Sequence, residues 1–256
     1  MPLFTTTIFG PIHSRRLGVS LGVNLMPNDG KICSFDCLYC EAGYNSQGAG
    51  TSGLPSVEIV GRDLEAKLRE MKEAGEPLDV ITFSGNGEPT LHPEFPEVVD
   101  EMIRLRDKYY PEAKISVLTN STRIFDPKIA EALKKVDNNI LKLDSAIEDT
   151  MRFIDRPNNP LFTTERLIES LKQFEGQGII QTMLLRGEHD GRKVDNTTPE
   201  EIDALIRAYK AIKPKEVMIY SIDRPTPEKN LKKVEREELL KISEKIKNAG
   251  IPVQPF

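Results

Sequence analysis

The sequence predicts an α/β fold, namely an open, partial barrel of the TIM type with a mostly parallel sheet. Two observations lead to this prediction. Apolar, β-rich runs alternate with helical patterns along the 256-residue chain, and no domain-sized linker interrupts the alternation. Strands that alternate with helices form βαβ units, in which the strands run parallel. We therefore expect a single domain over residues 1–256, with a doubly wound open sheet as the competing architecture.

Six βα units follow one another along the chain. Several helices are marked by Pro near their start or Gly after their end. The predicted strands cover residues 19–26, 79–84, 114–119, 139–144, 179–185 and 216–222. The predicted helices cover residues 56–74, 93–109, 127–136, 164–176, 198–212 and 235–249. A C-terminal extension, residues 250–256, is expected to add an edge strand or to close one end of the barrel, because its prolines disfavour a long central strand.

Composition limits the class of protein. Hydrophobic residues make up 38% and charged residues 29% of the chain, as is usual for a soluble globular protein. No run approaches the roughly 20 apolar residues that a membrane helix needs. The N-terminal residues show no apolar signal-peptide core. We therefore expect a cytoplasmic protein without membrane contact, in a compartment that keeps thiols reduced.

The charge is unevenly distributed. The net charge of −5 argues against a surface that coats nucleic acid. Residues 207–256 nevertheless contain 12 Lys and Arg against 7 Asp and Glu, so this segment is basic and the remainder is acidic. One interpretation is a set of lysine-rich, solvated helix faces. The other is a docking surface for an anionic partner such as RNA.

The three cysteines of the chain lie together in the run KICSFDCLYC. Cys33, Cys37 and Cys40 follow the first predicted strand, in a long loop over residues 27–54, and active sites of barrels lie at the carboxyl ends of strands. Three thiolates can bind three irons of a [4Fe–4S] cluster and leave the fourth iron open for a ligand. The alternatives are a zinc site with a different fourth ligand, unliganded thiols, and a ferredoxin-like centre, which normally needs four protein ligands.

A second motif closes the second predicted strand. Gly85, Asn86, Gly87, Glu88 and Pro89 form a glycine-rich turn. The glycines permit close approach of the backbone to a ligand, and Glu88 offers a carboxylate to an ammonium group. The alternative is an ordinary strand-to-helix turn, since Gly, Asn and Pro are common turn residues. The cysteine motif at the end of the neighbouring strand favours the binding site.

The cysteine spacing, with Tyr39 before the last cysteine, resembles that of the radical S-adenosylmethionine (SAM) superfamily, and the GNGEP segment resembles a second motif of the same superfamily. The resemblance covers nearly the whole chain. The resemblance implies a partial (β/α)6 barrel and a [4Fe–4S] cluster on the three cysteines. It implies SAM at the open iron, with Tyr39 nearby and the SAM amino group held by residues 85–89. It also implies that reduced protein cleaves SAM to methionine and a 5′-deoxyadenosyl radical, which abstracts hydrogen from a substrate. An electron donor such as flavodoxin or ferredoxin is then a partner.

Polar residues at the ends of the later strands are further candidates. By the resemblance, Asn120 contacts cofactor or substrate. Asp144, at the end of the fourth strand, is a candidate to bind ribose hydroxyls or substrate. Lys142 faces the barrel interior if its strand alternates. The remaining candidates for substrate contact are polar residues at strand ends or in the N-terminal run: Arg15, Arg16, Arg186, Ser221 and Asp223. Each candidate is also explained by a strand-end cap or a surface ion pair.

The runs FGPIHSRRLG and RPNNPLF further resemble a radical SAM branch related to tRNA wyosine-base synthesis. Relatives in that branch carry an additional cysteine cluster. This sequence has only the three cysteines of the KICSFDCLYC run, so we expect a single-cluster form. A tRNA or other RNA substrate is slightly favoured. A protein or peptide substrate, as in glycyl-radical activating enzymes with the same cysteine spacing, and a small metabolite are alternatives. A non-catalytic iron–sulfur redox sensor is the alternative of another class, although a sensor needs no GNGEP element.

Overall fold

The computed structural model describes residues 3–14 and 16–256, so the predicted substrate residue Arg15 lies outside the described residues. Within these ranges the chain forms ten strands and seven α-helices. The strands are β1 (Ile8–Ser14), β2 (Gly18–Val23), β3 (Val80–Phe83), β4 (Lys114–Thr119), β5 (Asn138–Lys142), β6 (Ile179–His189), β7 (Arg192–Asp195), β8 (Glu216–Ser221), β9 (Lys232–Lys233) and β10 (Val253–Pro255). The helices are α1 (Val57–Glu73), α2 (Phe95–Tyr109), α3 (Pro127–Lys134), α4 (Glu148–Asp155), α5 (Thr164–Leu171), α6 (Pro199–Ile212) and α7 (Arg236–Asn248).

Parallel strands dominate the sheet. Its order is β1-β2-β3-β4-β5-β6-β8-β10, with β1 antiparallel to β2 and each later neighbour parallel. The predicted α/β fold with a mostly parallel sheet is therefore confirmed. The strands follow one another in chain order without the reversal that defines a doubly wound sheet, which removes the competing architecture.

The carboxyl end of β6 extends beyond the parallel sheet. This strand is 11 residues long, and its second half pairs antiparallel with β7 on one side and β9 on the other. The result is a small antiparallel extension at the end of the barrel where active sites occur.

The sequence and the structure agree on six strands and six helices, whose ends differ by a few residues. The helix that the sequence did not predict is α4, which has only 8 residues and begins after Ile147 without a side-chain cap. The N-terminal run forms β1, which was not predicted, and β7 and β9 are further unpredicted strands. Residues 253–255 form the expected edge strand.

The two faces of the sheet form different packing layers. Outward-facing residues pack against the helices in one large core that includes Leu21, Phe83 and Leu141. Inward-facing Ile140, Ile179 and Met218 form a second cluster, against which Leu17, Leu118 and Phe256 pack. This second cluster fills the barrel interior near the starts of β5, β6 and β8, so the interior towards the strand ends is where polar residues lie.

In the part of the chain that the structure describes, no helix is both long enough and apolar enough to cross a membrane.

Candidate active site

The three cysteines lie close together on the loop that follows β2. Cys33 and Cys40 are half-buried and Cys37 is buried. The sulfurs lie within electrostatic range of one another. Burial, helped by the carboxylate of Glu88, raises the pKa of the Cys33 thiol to about 11. Burial likewise raises the pKa of Cys37 well above its ordinary value. Metal ligation by these groups would therefore displace their protons.

The C-terminal end of α4 holds the middle of the cysteine loop. The backbone N–H of Leu38 donates to the carbonyl of Ile154 over 2.9 Å, and that of Asp36 donates to the carbonyl of Asp155 over 3.0 Å. The last carbonyls of a helix lack partners within the helix. The cysteine loop supplies these partners, so the position of α4 fixes the path of the loop.

Two asparagine side chains hold the start of the cysteine loop. Asn158 follows α4, and its Nδ2 donates to the carbonyl of Cys33 over 3.1 Å, while its backbone N–H donates to the carbonyl of Ser34. Asn45 donates from Nδ2 to the carbonyls of Cys33 and Phe35 over 3.3 and 3.0 Å. These bonds give the RPNNP run after α4 a structural role: its first Asn, Asn158, fastens the loop that carries the cysteines.

Asn120 approaches a cysteine sulfur directly. Its Nδ2 lies 3.5 Å from Sγ of Cys33 and 2.9 Å from Oγ of Ser34. Its backbone N–H donates to Oε2 of Glu88 over 2.6 Å. The end of β4 thus lies beside the first cysteine, as the barrel topology predicts.

Residues 85–89 pack directly against the start of the cysteine loop. Ile32 and Gly87 form a parallel bridge, in which the N–H of Ile32 donates to the carbonyl of Asn86 and the N–H of Glu88 donates to the carbonyl of Ile32. Gly87 has φ +148°, and a Cβ there would lie 1.8 Å from the carbonyl oxygen of Ile32. The glycine therefore allows close contact with the cysteine loop, in addition to any role at a ligand.

The Glu88 carboxylate is buried and surrounded by donors. Oε1 accepts from the backbone N–H and the hydroxyl of Thr90 and from the hydroxyl of Thr119, and Oε2 accepts from the N–H of Asn120. Burial raises the pKa of this carboxyl despite these bonds. An ammonium group that binds Glu88 would share its oxygens with these donors, so the predicted role of Glu88 stays a prediction.

Asn86 bonds within the protein rather than towards the barrel interior. Its side chain accepts from the N–H of Phe4 and donates to the carbonyls of Phe4 and Pro27, each over 2.8–2.9 Å. A Cβ on Gly85 would lie 2.4 Å from Oδ1 of Asn24. Pro89 begins a buried 3-10 turn. In this segment the side chains build the turn, and the backbone faces the cysteine loop.

A buried charged network lies beside Cys37. Nζ of Lys142 is 2.6 Å from Oδ2 of Asp144 and 3.3 Å from Oδ1 of Asp155. The hydroxyl of Tyr39 contacts both Lys142 and Asp144, and the Lys142 ammonium lies 4.4 Å from the centre of the Tyr39 ring. Sγ of Cys37 lies 3.6 Å from Oδ1 of Asp155. Lys142 therefore faces the interior, as its strand alternation predicts.

The electrostatics of this network follow from burial and pairing. Burial opposes the charge of Lys142, but the neighbouring carboxylates of Asp144 and Asp155 outweigh burial and raise the pKa of Lys142 well above its ordinary value. Burial raises the pKa of Asp155. Asp144 also accepts from the N–H of Met183 at Oδ1, which fixes its carboxylate to β6.

Three of the other predicted substrate residues form their contacts outside the Lys142 network. Arg186 forms ion pairs with Asp195 and Glu238, between the end of β6 and α7. The hydroxyl of Ser221 donates to the carbonyl of Leu184 and accepts from the N–H of Val234. Asp223 is exposed and lies 3.4 Å from Nζ of Lys233.

Three residues that the structure brings to this region were not predicted as site residues from the sequence. Asp155 lies on the unpredicted helix α4, and Asn158 lies in a run noted only for its resemblance. Tyr220 precedes the candidate Ser221, and its ring lies 4.7 Å from the Arg16 guanidinium carbon. Strand alternation was the available signal, because it turns Tyr220 inward and Ser221 outward.

The cysteine loop has the donor set for a cluster with one open iron. Its three sulfurs lie within electrostatic range of one another, two loop carbonyls are fixed by side-chain amides, and an amide N–H lies beside Sγ of Cys33. Among the described residues, no three His, Cys, Asp or Glu side chains converge on a point where one metal ion would bind. In a [4Fe–4S] cluster each thiolate ligates its own iron, so three separated sulfurs suit it.

Residues 28–193 match the family described as the Radical SAM superfamily. The matched range includes more than half of the chain, all three cysteines and residues 85–89. The chain therefore belongs to the radical SAM superfamily. Members of this superfamily bind SAM and typically a [4Fe–4S] cluster.

Curated relatives place the chain more narrowly, among the UPF0026 proteins. It is 31% identical to the UPF0026 protein of Methanocaldococcus jannaschii over 242 residues, which are 93% of this chain and 70% of that protein. It is 33% identical to a UPF0026 protein of Synechocystis over 228 residues, 86% of this chain and 77% of that protein. A protein named GTPase Obg from Brachyspira hyodysenteriae is 30% identical over 244 residues, but the chain spans only 33% of its length.

Solved structures share the fold. A radical SAM methyltransferase from Sphaerobacter thermophilus superimposes with a TM-score of 0.68 at 19% identity, over 93% of this chain and 65% of that one. A structure of TYW1 with a lysine-pyruvate adduct bound gives a TM-score of 0.58 at 18% identity, over 90% and 73%. SuiB from Streptococcus suis bound to SAM gives 0.64 at 16% identity, over 92% and 49%. The fold of these neighbours is the partial barrel.

Proposed function

We propose that this protein is a single-cluster radical SAM enzyme, in which Cys33, Cys37 and Cys40 ligate a [4Fe–4S] cluster and residues 85–89 hold SAM beside it. The observation that carries the proposal is the bridge between Ile32 and Gly87, because it joins the segment that we propose to bind SAM to the residue before the first cysteine. When bound and reduced, the cluster supplies the electron that cleaves SAM to methionine and a 5′-deoxyadenosyl radical, which abstracts hydrogen from the substrate.

The protein residues position and shield this chemistry. Glu88, through Asn120 N–H and Thr119, joins the end of β3 to the end of β4, so the segment that would hold the SAM amino group moves as one unit with Asn120. Asn120 then supports Cys33 through its side-chain amide. Phe35 and Leu38, which are at most 1% exposed, anchor the loop in the apolar core and limit the access of water from that side. A dry site prevents side reactions of a radical.

The ligand assignment is tested by metal analysis. Each of Cys33→Ala, Cys37→Ala and Cys40→Ala removes one of the three thiolates, so each variant is expected to lose the cluster after anaerobic reconstitution. Iron and acid-labile sulfide are measured per chain, with the parent protein expected to hold about four of each. A variant that keeps the parental content is not missing a ligand, and the assignment is then incorrect.

An RNA substrate, tRNA in particular, is the substrate class that the sequence favours. Its support is the resemblance to the wyosine branch and the basic character of residues 207–256. Several of those basic residues form ion pairs, including Lys213 with Glu175 and Lys245 with Asp203, so the support from charge is modest. If RNA binds this segment, its affinity falls steeply as salt rises. Filter binding of bulk tRNA between 50 and 200 mM salt measures this dependence (about tenfold or more is expected for several phosphate contacts).

A peptide or protein substrate is the second candidate, since one fold neighbour, SuiB, has been solved with a precursor peptide. If the protein does not bind tRNA, or binds it with an affinity that does not depend on salt, the RNA proposal is rejected and the peptide class is favoured. Lack of SAM cleavage by the reduced, cluster-bearing protein would favour the alternative of an iron–sulfur redox sensor.

A further inference from the structure

One guanidinium group reaches the aromatic side chain at the end of β8 from the turn between β1 and β2. The Arg16 guanidinium carbon lies 4.7 Å from the centre of the Tyr220 ring. Its Nη1 is shielded from solvent and has no hydrogen-bond partner within residues 3–14 and 16–256. A shielded donor without a partner is costly, because it has lost water and gained nothing in exchange.

Tyr220 connects this guanidinium to the candidate active site. In β8, Ile219 and Ser221 face outward, so Tyr220 shares the inward face with Met218 of the interior cluster. Tyr220 is only partly buried as a residue. It lies within electrostatic range of Lys142 and Cys37 as well as Arg16. The Arg16 guanidinium therefore lies against a side chain that faces the barrel interior and is within electrostatic range of groups beside the cysteine loop.

We propose that this interior space binds a small substrate through a carboxylate, with the carboxylate on Arg16 and the rest of the molecule between Tyr220 and the cysteine loop. The proposal rests on the proposed radical SAM function, because it places the substrate where the SAM-derived radical would act. It replaces the RNA and peptide classes considered above with a third substrate class, a small carboxylic acid.

The chemistry of the surrounding groups selects a carboxylate. A guanidinium presents two parallel N–H donors, which match the two oxygens of a carboxylate. A second cation within electrostatic range of Tyr220, Lys142, already contacts the carboxylates of Asp144 and Asp155. Among the described residues, Arg16 thus offers one guanidinium to a ligand, which suits a monoanion, whereas a phosphate dianion is usually met by several donors or cations.

Thermal unfolding of the reconstituted protein tests this site with simple probes. Propionate is compared with inorganic phosphate and chloride at equal ionic strength, under anaerobic conditions. At ten times its dissociation constant, propionate is expected to raise the unfolding midpoint by roughly 3 to 5 °C. Arg16→Gln removes the charge and should abolish this rise, and Arg16→Lys, which keeps the charge but not the fork, should retain a smaller one.

A matched control is Arg62→Gln, which removes an exposed arginine on α1 whose side chain is 71% exposed. It should respond to propionate as the parent does. If Arg16→Gln does not fold, Tyr220→Leu replaces it, because this variant keeps the guanidinium but loses the ring that orients it, and a several-fold weaker response is expected. A rise with phosphate alone, an equal rise in the Arg16 and parent proteins, or no rise with propionate overturns the proposal.

The same preparations separate this inference from the proposed function. Their 5′-deoxyadenosine formation from SAM is measured alongside the unfolding midpoint. SAM cleavage without a propionate response rejects the carboxylate site and leaves the radical SAM function intact. A propionate response that depends on Arg16, in protein that never cleaves SAM, supports the anion site and rejects the function proposed for it.

Discussion

Lys142 is mostly buried beside the cysteine loop, with 13% of its side chain exposed, and its ammonium contacts the carboxylates of Asp144 and Asp155 and the hydroxyl of Tyr39. A buried ammonium is tolerated only when it is paired and hydrogen-bonded. Tyr39 immediately precedes Cys40, and Asp155 lies beside Cys37, so this network links β5 to two of the three cysteines. Its residues therefore serve the stability of the fold and the shape of the cysteine loop together.

Asp144→Ala is expected to lower the free energy of unfolding by about 3–5 kcal/mol, because it leaves Lys142 buried with fewer compensating charges. Equilibrium unfolding in urea, followed by circular dichroism, measures the change. Asp63→Ala is the control, since Asp63 pairs with Arg62 on the surface of α1 and should cost at most about 1 kcal/mol. Equal costs for the two variants would contradict the account of a buried pair.

At the scale of elements, α4 and the residues after it determine the path of the cysteine loop. The last carbonyls of α4 accept N–H groups of the loop, and Asn158 bonds to the carbonyl of Cys33 and the carbonyl of Ser34. Contacts that support metal ligands commonly change metal affinity by about 10- to 100-fold when removed. This short helix is therefore expected to influence cluster retention although it carries no cysteine.

Asn158→Ala removes the amide that holds Cys33, so we expect its cluster to be lost to a chelator about tenfold faster than that of the parent. Loss of the cluster absorbance under an excess of chelator measures the rate. Asn159→Ala is the matched control, because the Asn159 side chain accepts from the N–H of Leu161 within its own loop. The account fails at this point if both variants lose their clusters at the parental rate.

Gly87→Ala tests the contact between residues 85–89 and the cysteine loop. The new Cβ would lie 1.8 Å from the carbonyl oxygen of Ile32, so we expect a loss of stability of about 3 kcal/mol or more and weaker SAM binding. Gly53→Ala separates backbone strain from this clash, since Gly53 has φ +71° with no atom within 4 Å of its Cβ position, and should cost about 1–2 kcal/mol. Urea unfolding and SAM titration measure both effects. A smaller loss for Gly87→Ala than for Gly53→Ala would show that the segment does not pack as described.

At the scale of the whole molecule, the sequence predicted what local patterns determine. The alternation of apolar strands and capped helices gave six strands and six helices, and Ser56 accepts from the N–H of Ile59 as a helix cap should. Helix α4 was not predicted because it is short and lacks a side-chain cap, and β9 was not predicted because it is two residues long. Elements of this kind are defined by tertiary contacts rather than by their own sequence.

The candidate site was predictable where chemistry follows spacing, and not where it follows distant contacts. The cysteines and residues 85–89 are visible as motifs. The contact between Cys37 and Asp155 joins residues 118 positions apart, and Asp155 lies on the helix that was not predicted. The stacking of Arg16 on Tyr220 joins opposite ends of the chain. Such pairings depend on barrel geometry, which a single sequence does not specify.

The central claim is that this molecule generates a 5′-deoxyadenosyl radical at its cysteine loop. The most direct measurement is 5′-deoxyadenosine formation from SAM by the anaerobically reconstituted, chemically reduced protein, with and without bulk tRNA, in parent and Cys40→Ala. The account predicts product from the parent and none from Cys40→Ala, with stimulation by tRNA if RNA is the substrate. Equal product from both proteins, or none from a parent that holds about four iron and four sulfide per chain, would contradict it.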